Sequence, residues 1–257
     1  HIFYNAWMEL LDENFQNSHK LHTYTQLIFV PSNSPLCTAQ KFIFFELLAR
    51  LTFIECRVSL HNMGEERPLV IDVIDNGGQW THREWRMLRY LGCDTKIIDN
   101  NTPISELREL DALLLSGGAA RVGLTGELGN CAEYLKLEIP ILGICAGHQF
   151  MARHYGGDCR AAPHPEFGAM EIELVGDGGI LFKNTNTKQM VWESHNDEVH
   201  ILPEGFTVTA SSENCEIEAM ENTDLMRFGL QFHPEVNDTE FGVEIITNFV
   251  NFVKGSL

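Results

Sequence analysis

The sequence has few basic residues. Lys and Arg number 18 against 36 Asp and Glu, which gives a formal charge of −18 over 257 residues. Proteins that bind nucleic acids or anionic membranes use clustered positive charge to contact phosphate groups. We therefore expect neither nucleic acid nor membrane as a partner. Hydrophobic residues make up 44% of the chain, which is enough to bury the core of a globular protein.

The chain also lacks paired cysteines and metal-binding motifs. Neither a Cys-x-x-Cys pair nor a His-Glu-x-x-His sequence occurs, and the seven cysteines are odd in number and widely scattered. The sequence therefore predicts neither a disulfide framework nor a metal site, and it favours a reducing, cytoplasmic location. The cysteines are Cys37, Cys56, Cys93, Cys131, Cys145, Cys159 and Cys215.

No apolar run is long enough to cross a membrane. The most apolar early stretch, residues 42–54, contains Glu46 and Arg50. A membrane-spanning helix needs about 20 predominantly apolar residues, so this stretch is too short and too charged. It also lies too far from the start of the chain to be a secretory signal.

The patterning of the chain changes at Pro68. Residues 1–67 show weak periodicity, and we interpret them as an unassigned N-terminal extension. It is an accessory helix, a disordered segment or a mis-called extension of the reading frame, with a functional module as the alternative. From Pro68 onward, short apolar runs alternate with amphipathic segments, which is typical of βαβ units. Residues 68–257 are therefore predicted to form one α/β domain, with an open, mostly parallel sheet flanked by helices.

The apolar runs and turn residues also predict the individual elements. Strands are predicted at 69–74, 95–98, 112–115, 139–144, 170–175, 189–193, 207–210, 216–220 and 227–232. Helices are predicted at 80–91, 104–110, 128–137, 147–155 and 241–253.

Cys145 lies between a predicted strand and a predicted helix, in the sequence Gly-Ile-Cys-Ala-Gly-His-Gln. Small residues on both sides favour a sharp elbow that exposes the sulfur, and a helix N-terminus favours the thiolate. A buried structural cysteine explains the same spacing equally well.

His233 is a candidate general base for this cysteine, and Glu235 is a candidate partner that orients the imidazole. Both lie in Gln-Phe-His-Pro-Glu after a predicted strand, and Pro234 stiffens the link between them. Most histidines in a protein are structural or merely exposed, but a cysteine nucleophile requires a base.

Backbone amides of Gly118 and Ala146 are candidates for stabilising an oxyanion. Gly118 ends Ser-Gly-Gly after a predicted strand, and Ala146 follows Cys145. The later glycine spacing is similar to that of a phosphate-binding loop, but Leu124 stands at the lysine position, so we expect no nucleotide site there. The run from Ser194 to Asp197 is either a substrate contact or a capped helix start, and residues 164–168 are predicted to form a turn without chemistry of their own.

Together these motifs resemble the class I, triad-type glutamine amidotransferases, whose architecture is flavodoxin-like. The resemblance covers roughly residues 69–253. Within that family, the chain looks most like the separate glutaminase subunit of archaeal GMP synthetase. The segments that support this are 75–83, 166–168 and 194–197.

The resemblance implies a role for each matching residue. Cys145 becomes the nucleophile, His233 the base and Glu235 its orienting partner, with the Gly118 and Ala146 amides in the oxyanion hole. Contacts to the amino-acid end of glutamine are implied for Gln149, Ser194, Asn196 and Asp197. The segment after Gly118 lacks a proline that many relatives carry, and Asn196 replaces a glycine common in bacterial relatives.

The resemblance also implies a heteromeric partner. The ATP-pyrophosphatase loop Ser-Gly-Gly-x-Asp-Ser is missing from the sequence, so ATP, Mg²⁺ and XMP are expected to bind a separate synthetase subunit, with no cofactor on this chain. Alternatives are the glutaminase subunit of anthranilate, aminodeoxychorismate or carbamoyl-phosphate synthesis, a free-standing hydrolase of γ-glutamyl bonds, and a non-catalytic regulatory subunit of a synthetase.

Overall fold

The computed structural model describes residues 67–257. The prediction for the N-terminal extension therefore lies outside the described residues, except at Arg67. The guanidinium of Arg67 makes two hydrogen bonds of 2.7 Å to the carboxylate of Asp111. Among residues 67–257, no helix is long and apolar enough to cross a membrane.

The described residues form helices and strands that alternate through the first half of the domain. The strands are β1 Ile71–Asp75, β2 Ile97–Asp99, β3 Ala112–Leu115, β4 Ile141–Ile144, β5 Asp158–Leu174, β6 Lys188–Ile201, β7 Thr207–Ser212, β8 Ala219–Asn222 and β9 Arg227–Leu230. The helices are α1 Thr81–Tyr90, α2 Val122–Thr125, α3 Cys131–Tyr134, α4 Ala146–His154 and α5 Gly242–Ser256.

All nine strands belong to one sheet, in the order β2-β1-β3-β4-β9-β8-β7-β5-β6. The first five strands in this order pair in parallel, and the remaining four extend the sheet in antiparallel fashion. The prediction of an open, mostly parallel sheet flanked by helices is confirmed. The strand order reverses between β1 and β3, and in such sheets ligands bind beyond the carboxyl ends of the strands near that point.

The strands β1, β3 and β4 are buried on both faces, which explains why they read as apolar runs. In β3, Leu114 packs into a core with α1 and α5, whereas Leu113 and Leu115 point to the opposite face and pack with α2, α3 and α4. Helices thus cover both faces of the parallel half and fix the strand ends that carry the candidate site.

Two predicted helices are shorter than expected. The segment predicted at 104–110 contains only a 3-10 turn, Ile104–Glu106, because Leu107 is extended and packs against the second core. The segment predicted at 128–137 reduces to α3. The carbonyl groups of Leu135 and Leu137 accept hydrogen bonds from the buried guanidinium of Arg227 instead of continuing the helix.

The predicted turn at 164–168 was wrong, because these residues lie within the long strand β5. Residues 158–161 and 166–173 pair with β6, and the register shifts between Ala161 and Glu166. Pro163 and Pro165 fall in this irregular part, where a missing backbone N–H costs no ladder hydrogen bond. The run from Ser194 to Asp197 lies within β6, so it does not start a helix.

Candidate active site

Cys145 occupies a strained turn between β4 and α4. Its φ is 48° and its ψ is −105°, a combination that L-residues rarely adopt. The turn places Cys145 at the carboxyl end of β4 and at the N-terminus of α4. The predicted elbow is therefore present in the structure.

Glycines make this turn possible because there is no room for a side chain beside it. A Cβ atom on Gly143 would lie 2.6 Å from the carbonyl carbon of Gly147. A Cβ atom on Gly147 would overlap the carbonyl oxygen of Leu115 at the end of β3. The first turn of α4 can approach the sheet this closely only with glycine at both positions.

His233 lies beside Cys145, although 88 positions separate them in the sequence. The imidazole Nδ1 of His233 is 2.7 Å from Oε1 of Glu235. The ring also packs edge-on against Trp80, with 4.4 Å between ring centroids, and the hydroxyl of Thr239 donates to the His233 carbonyl. These contacts fix the ring orientation and leave Nε2 to face the cysteine.

The electrostatics of His233 favour the imidazolium. Burial alone lowers its pKa, but the charge of Glu235 and the hydrogen bonds to Cys145 and Glu235 outweigh burial and raise the pKa to about 10. Both His233 and Glu235 are buried, so water screens their attraction only weakly.

Glu84 is a buried acid that sequence reasoning missed. It lies on α1, and burial and the negative charge of Glu235 raise its pKa well above the usual range, whereas His233 and a hydrogen bond from the Gly117 backbone lower it. The hydrogen bond between Gly117 and Glu84 connects α1 to the loop after β3. Its contacts come from tertiary packing, so the sequence around Glu84 gives no signal beyond a carboxylate on the buried face of a helix.

The two candidate oxyanion donors come from the loop after β3 and from the start of α4. Gly118 lines the cavity above Cys145, and a Cβ atom there would overlap the carbonyl of Asn76 in the loop after β1. Ala146 is the first residue of α4, where backbone N–H groups have no acceptor within the helix. Gly118 thus lines the cavity, and Ala146 lies directly behind Cys145.

Gln149 connects the nucleophile to strand β6. Its side-chain nitrogen donates to the Asp197 carbonyl at 2.6 Å and to Oε1 of Gln231 at 3.0 Å. Gln231, which was not predicted as a site residue, lies 3.6 Å from the Cys145 sulfur through its own side-chain nitrogen. The Ser194 carbonyl lies 3.9 Å from the same sulfur.

Asp197 and Asn196 differ in what they offer to a ligand. The carboxylate of Asp197 is buried and accepts hydrogen bonds from Arg121, at 2.6 and 2.9 Å, and from the backbone of Gly123. Asn196 is exposed at the rim. Arg121 was not predicted, because nothing in the sequence connects it to a residue 76 positions away.

These residues line one cavity of about 350 Å³, which is the size of a small-molecule site. Every predicted site residue except Ala146 contributes to the lining, and Ala146 lies directly behind Cys145. The exposed ring of Phe167, from the segment predicted as a turn, stands at the rim. A thiol, an imidazole–carboxylate pair and backbone donors in one cavity suit acyl transfer from an amide.

Comparisons with known proteins give a consistent result. The model of the family described as "Glutamine amidotransferase class-I" matches residues 72–252. A glutamine-hydrolyzing GMP synthase subunit from Thermoplasma acidophilum is 46% identical over 184 residues, covering 71% of this chain and 92% of that protein. The corresponding protein from Thermococcus kodakarensis is 44% identical over 186 residues, covering 70% and 96%.

Solved structures agree with the sequence comparisons. A crystal structure of a putative GMP synthase subunit from Thermoplasma acidophilum superposes with a TM-score of 0.69 at 42% identity, covering 75% of this chain and 97% of that chain. A glutamine amidotransferase from Thermotoga maritima shares the fold, with a TM-score of 0.56 at 21% identity, covering 75% and 85%.

Proposed function

This chain belongs to the class-I glutamine amidotransferase family, and on that premise we propose that it is the glutaminase subunit of a GMP synthetase. It hydrolyses glutamine to glutamate and ammonia. The observation that carries the proposal is the placement of Cys145 on a strained elbow beside the His233–Glu235 pair, in one cavity. Identity of 42–46% over nearly the whole length of the archaeal GMP synthase relatives supports the GMP pathway.

In the first half of the proposed reaction, the Cys145 thiolate attacks the side-chain carbonyl carbon of glutamine. The negative charge that develops on the oxygen is stabilised by the backbone amides of Gly118 and Ala146, an interaction worth about 3 kcal/mol per donor. His233, held as imidazolium by Glu235, donates its proton to the leaving nitrogen, and ammonia departs from a thioester.

In the second half, neutral His233 accepts a proton from water, and the resulting hydroxide attacks the thioester carbon. Glutamate leaves, and Cys145 returns to the thiolate with His233 as imidazolium. Glu235 keeps Nδ1 of His233 oriented throughout, so that Nε2 serves both proton transfers. Gln149 and Gln231 hold the wall from Ser194 to Asp197 against the nucleophile.

Ammonia is consumed by a separate protein in this proposal. The partner is an ATP-pyrophosphatase that adenylates XMP, and ATP and Mg²⁺ act there. Both proteins are proposed to work in the cytoplasm, where the Cys145 thiol stays reduced.

A mixing experiment tests the pathway. The purified chain is combined with an XMP-dependent synthetase partner, ATP and Mg²⁺, and GMP formation is measured with glutamine or with ammonium chloride. We expect both nitrogen sources to work with the unmodified chain, whereas Cys145→Ala supports only the ammonium reaction. The matched control is Cys93→Ala, which removes a buried thiol from the hydrophobic core and leaves the cavity unchanged.

Two results would overturn parts of the proposal separately. Absence of glutamine-dependent GMP formation with an ammonium-competent partner contradicts the pathway. Covalent labelling by 6-diazo-5-oxo-norleucine tests the chemistry, because the reagent adds mass at the nucleophile. Labelling at another residue, or none in the presence of the partner, contradicts the role of Cys145.

A further inference from the structure

Three glutamates and one histidine form a buried cluster behind the wall of the cavity. Glu166 comes from β5, Glu193 and His195 from β6, and Glu218 from the segment before β8. All four side chains are buried, with residue exposures of 0–3%. Ligand atoms of Glu166, His195 and Glu218 lie within 4.8 Å of one another. The proposed glutaminase chemistry uses none of the three carboxylates.

The hydrogen bonds of His195 show which ring nitrogen faces the cluster. Nδ1 lies 3.0 Å from the Asp197 carbonyl, which can only accept, so Nδ1 carries the proton. In the neutral ring, Nε2 therefore presents a lone pair, and it points at Oε2 of Glu166 at 3.1 Å. Two acceptors facing each other repel unless a proton or a cation lies between them. A histidine that donates its far N–H to a backbone carbonyl is also the usual arrangement in metal sites.

Two of the three carboxylates also lack hydrogen-bond donors. Both oxygens of Glu218 and both of Glu193 lack a hydrogen-bond partner within the described part of the chain. Oε2 of Glu193 lies 3.5 Å from the His195 Nε2. Buried polar atoms are nearly always satisfied, so four carboxylate oxygens at one place require either protons shared between the carboxyl groups or a cation.

Glu166 is held differently from the other two glutamates. Its Oε1 accepts from the hydroxyl of Ser212 at 3.1 Å and from the amide of Asn214 at 3.3 Å, which leaves Oε2 directed at His195. Ligating carboxylates commonly have one oxygen fixed in this way by neighbouring donors. The donors orient Glu166 without neutralising it.

The charge balance of the cluster requires positive charge from elsewhere. Three buried carboxylates face one imidazole, and no Lys or Arg ion pair with these glutamates occurs in residues 67–257. The excess negative charge is neutralised either by protons held on the glutamates or by a divalent cation.

We propose that this cluster is a binding site for a divalent first-row metal ion such as Zn²⁺, with Nε2 of His195 and carboxylate oxygens of Glu166 and Glu218 as ligands and Glu193 beside them. Ligands about 2.0–2.2 Å from zinc, at tetrahedral or octahedral angles, lie about 3.0–3.5 Å apart. The 3.1 Å between Nε2 of His195 and Oε2 of Glu166 falls in that range, and the Glu218 ligand oxygen lies within 4.8 Å of both atoms. Oε2 of Glu193 lies 3.5 Å from the same Nε2. An imidazole with several carboxylates suits zinc or manganese better than magnesium, which prefers oxygen ligands alone.

The ion joins two strands of the antiparallel half of the sheet to the segment before a third. It ties β5 and β6 to the segment before β8 and thereby holds the residues from Ser194 to Asp197 at the wall of the cavity. The site is structural, because its carboxylates lie behind the wall and take no part in the acyl transfer. No sequence motif indicates it, because 29 and 23 positions separate Glu166, His195 and Glu218, unlike the short spacings of common zinc motifs.

A metal-binding titration tests this site. The catalytic thiol can itself bind zinc, so the full chain carrying Cys145→Ala is stripped with a chelator and titrated with Zn²⁺ by calorimetry. We expect this background to bind Zn²⁺ and to show a higher melting temperature with the metal. Adding Glu218→Gln should weaken the affinity at least about tenfold and abolish the thermal shift.

The matched control is Glu221→Gln in the same background. Glu221 is a buried glutamate three positions further along, and it accepts a hydrogen bond from the Ile180 backbone outside the cluster. It should leave zinc affinity and the thermal shift unchanged. If Glu218→Gln binds zinc as tightly as its background, or if the background binds none, the cluster holds protons and the proposal is wrong.

X-ray absorption of the zinc-loaded Cys145→Ala protein decides the matter even if Glu218→Gln fails to fold. The expected first shell contains nitrogen and oxygen only, at about 2.0–2.2 Å. A sulfur shell at about 2.3 Å would place the zinc on cysteines elsewhere in the chain and overturn the assignment.

Discussion

At the residue scale, the state of His233 depends on Glu235. The pKa of His233 is raised above its ordinary value of 6.5 to about 10. The contribution of this pair to stability is therefore complete below pH 6.5 and is lost as the pH rises through about 10. The same shift keeps the imidazolium available as the proton donor over the neutral and mildly alkaline range.

Glu235→Gln should move the alkaline limb of the pH profile of kcat/KM downward, because the charge that raises the His233 pKa is removed. At pH 8 we expect a loss of about 100-fold or more in glutamine hydrolysis, within the range that general acid–base catalysis contributes. Steady-state rates from pH 5 to 10 with the synthetase partner measure it. Glu240→Gln, which changes an exposed acid, is the control. An unshifted alkaline limb would show that Glu235 does not act through His233.

Glu84 should tolerate glutamine but not alanine. The raised pKa of Glu84 favours the neutral acid, which glutamine imitates in size and in charge. Alanine leaves a cavity and deprives the Gly117 N–H of its acceptor, which together cost about 2–5 kcal/mol. Urea unfolding and glutaminase rates of both variants measure the effect.

The pH dependence of unfolding gives a second readout for Glu84. Because its folded-state pKa is raised, its contribution to stability is present below pH 4.5 and is lost as the pH rises. Glu84→Gln should therefore gain stability over the unmodified chain between pH 6 and 8. Equal loss of activity in both Glu84 variants would mean that the ionised form is required.

The candidate residues that the sequence could reveal were those in short motifs. Cys145 is recognisable by its flanking glycines, and His233 and Glu235 by their spacing. Glu84, Arg121 and Gln231 carry no comparable pattern, because their contacts exist only after distant strands have paired. Tertiary proximity of this kind has no local signature in a single sequence.

At the scale of elements, α4 is positioned by its closeness to the sheet. Gly147→Ala should destabilise the protein by about 1–3 kcal/mol, because the new methyl group overlaps the Leu115 carbonyl. It should also lower kcat, since the elbow at Cys145 moves with the helix. Chemical denaturation and glutaminase kinetics provide the measurements.

Gly255→Ala is the control for that substitution. Gly255 lies in the last turn of α5 with open space around it, so alanine should leave activity intact and stabilise the helix by up to about 1 kcal/mol. If Gly147→Ala behaves like Gly255→Ala, close packing does not position the elbow.

The elements also differ in how well their sequences predict them. Strand β3 was predicted with its observed bounds, because a continuous apolar run between turns has few alternatives. Strand β5 was predicted only at its end, because two prolines and several polar residues obscure the pattern. These prolines and polar residues are accommodated in a strand because β5 pairs with β6, and this pairing cannot be read from the local sequence.

At the scale of the whole molecule, residues 67–257 supply the two described hydrophobic cores. A chain of residues 67–257 should therefore unfold cooperatively and match the full chain in glutamine-dependent GMP formation with the synthetase partner. Arg67 is retained because it pairs with Asp111. Circular dichroism during urea denaturation and the coupled assay test both points, and an aggregated or inactive product would contradict them.

The mostly parallel sheet follows from alternating apolar and amphipathic segments, whereas the order of its strands was not predicted. The class I resemblance is confirmed by the family match. The antiparallel half was predicted only as isolated strands. Its long β5–β6 pairing depends on contacts between residues that lie up to 43 positions apart, as at Asp158 and Ile201.

The candidate catalytic groups come from distant parts of the sheet, and this has a consequence for when the proposed activity appears. Cys145 follows β4 and His233 follows β9, and these strands become neighbours only when residues from both halves of the domain have assembled. Contacts of such long sequence separation form late and slowly in folding. A nascent or damaged chain therefore carries an ordinary thiol, and wasteful deamidation of the glutamine pool begins only when the domain is whole.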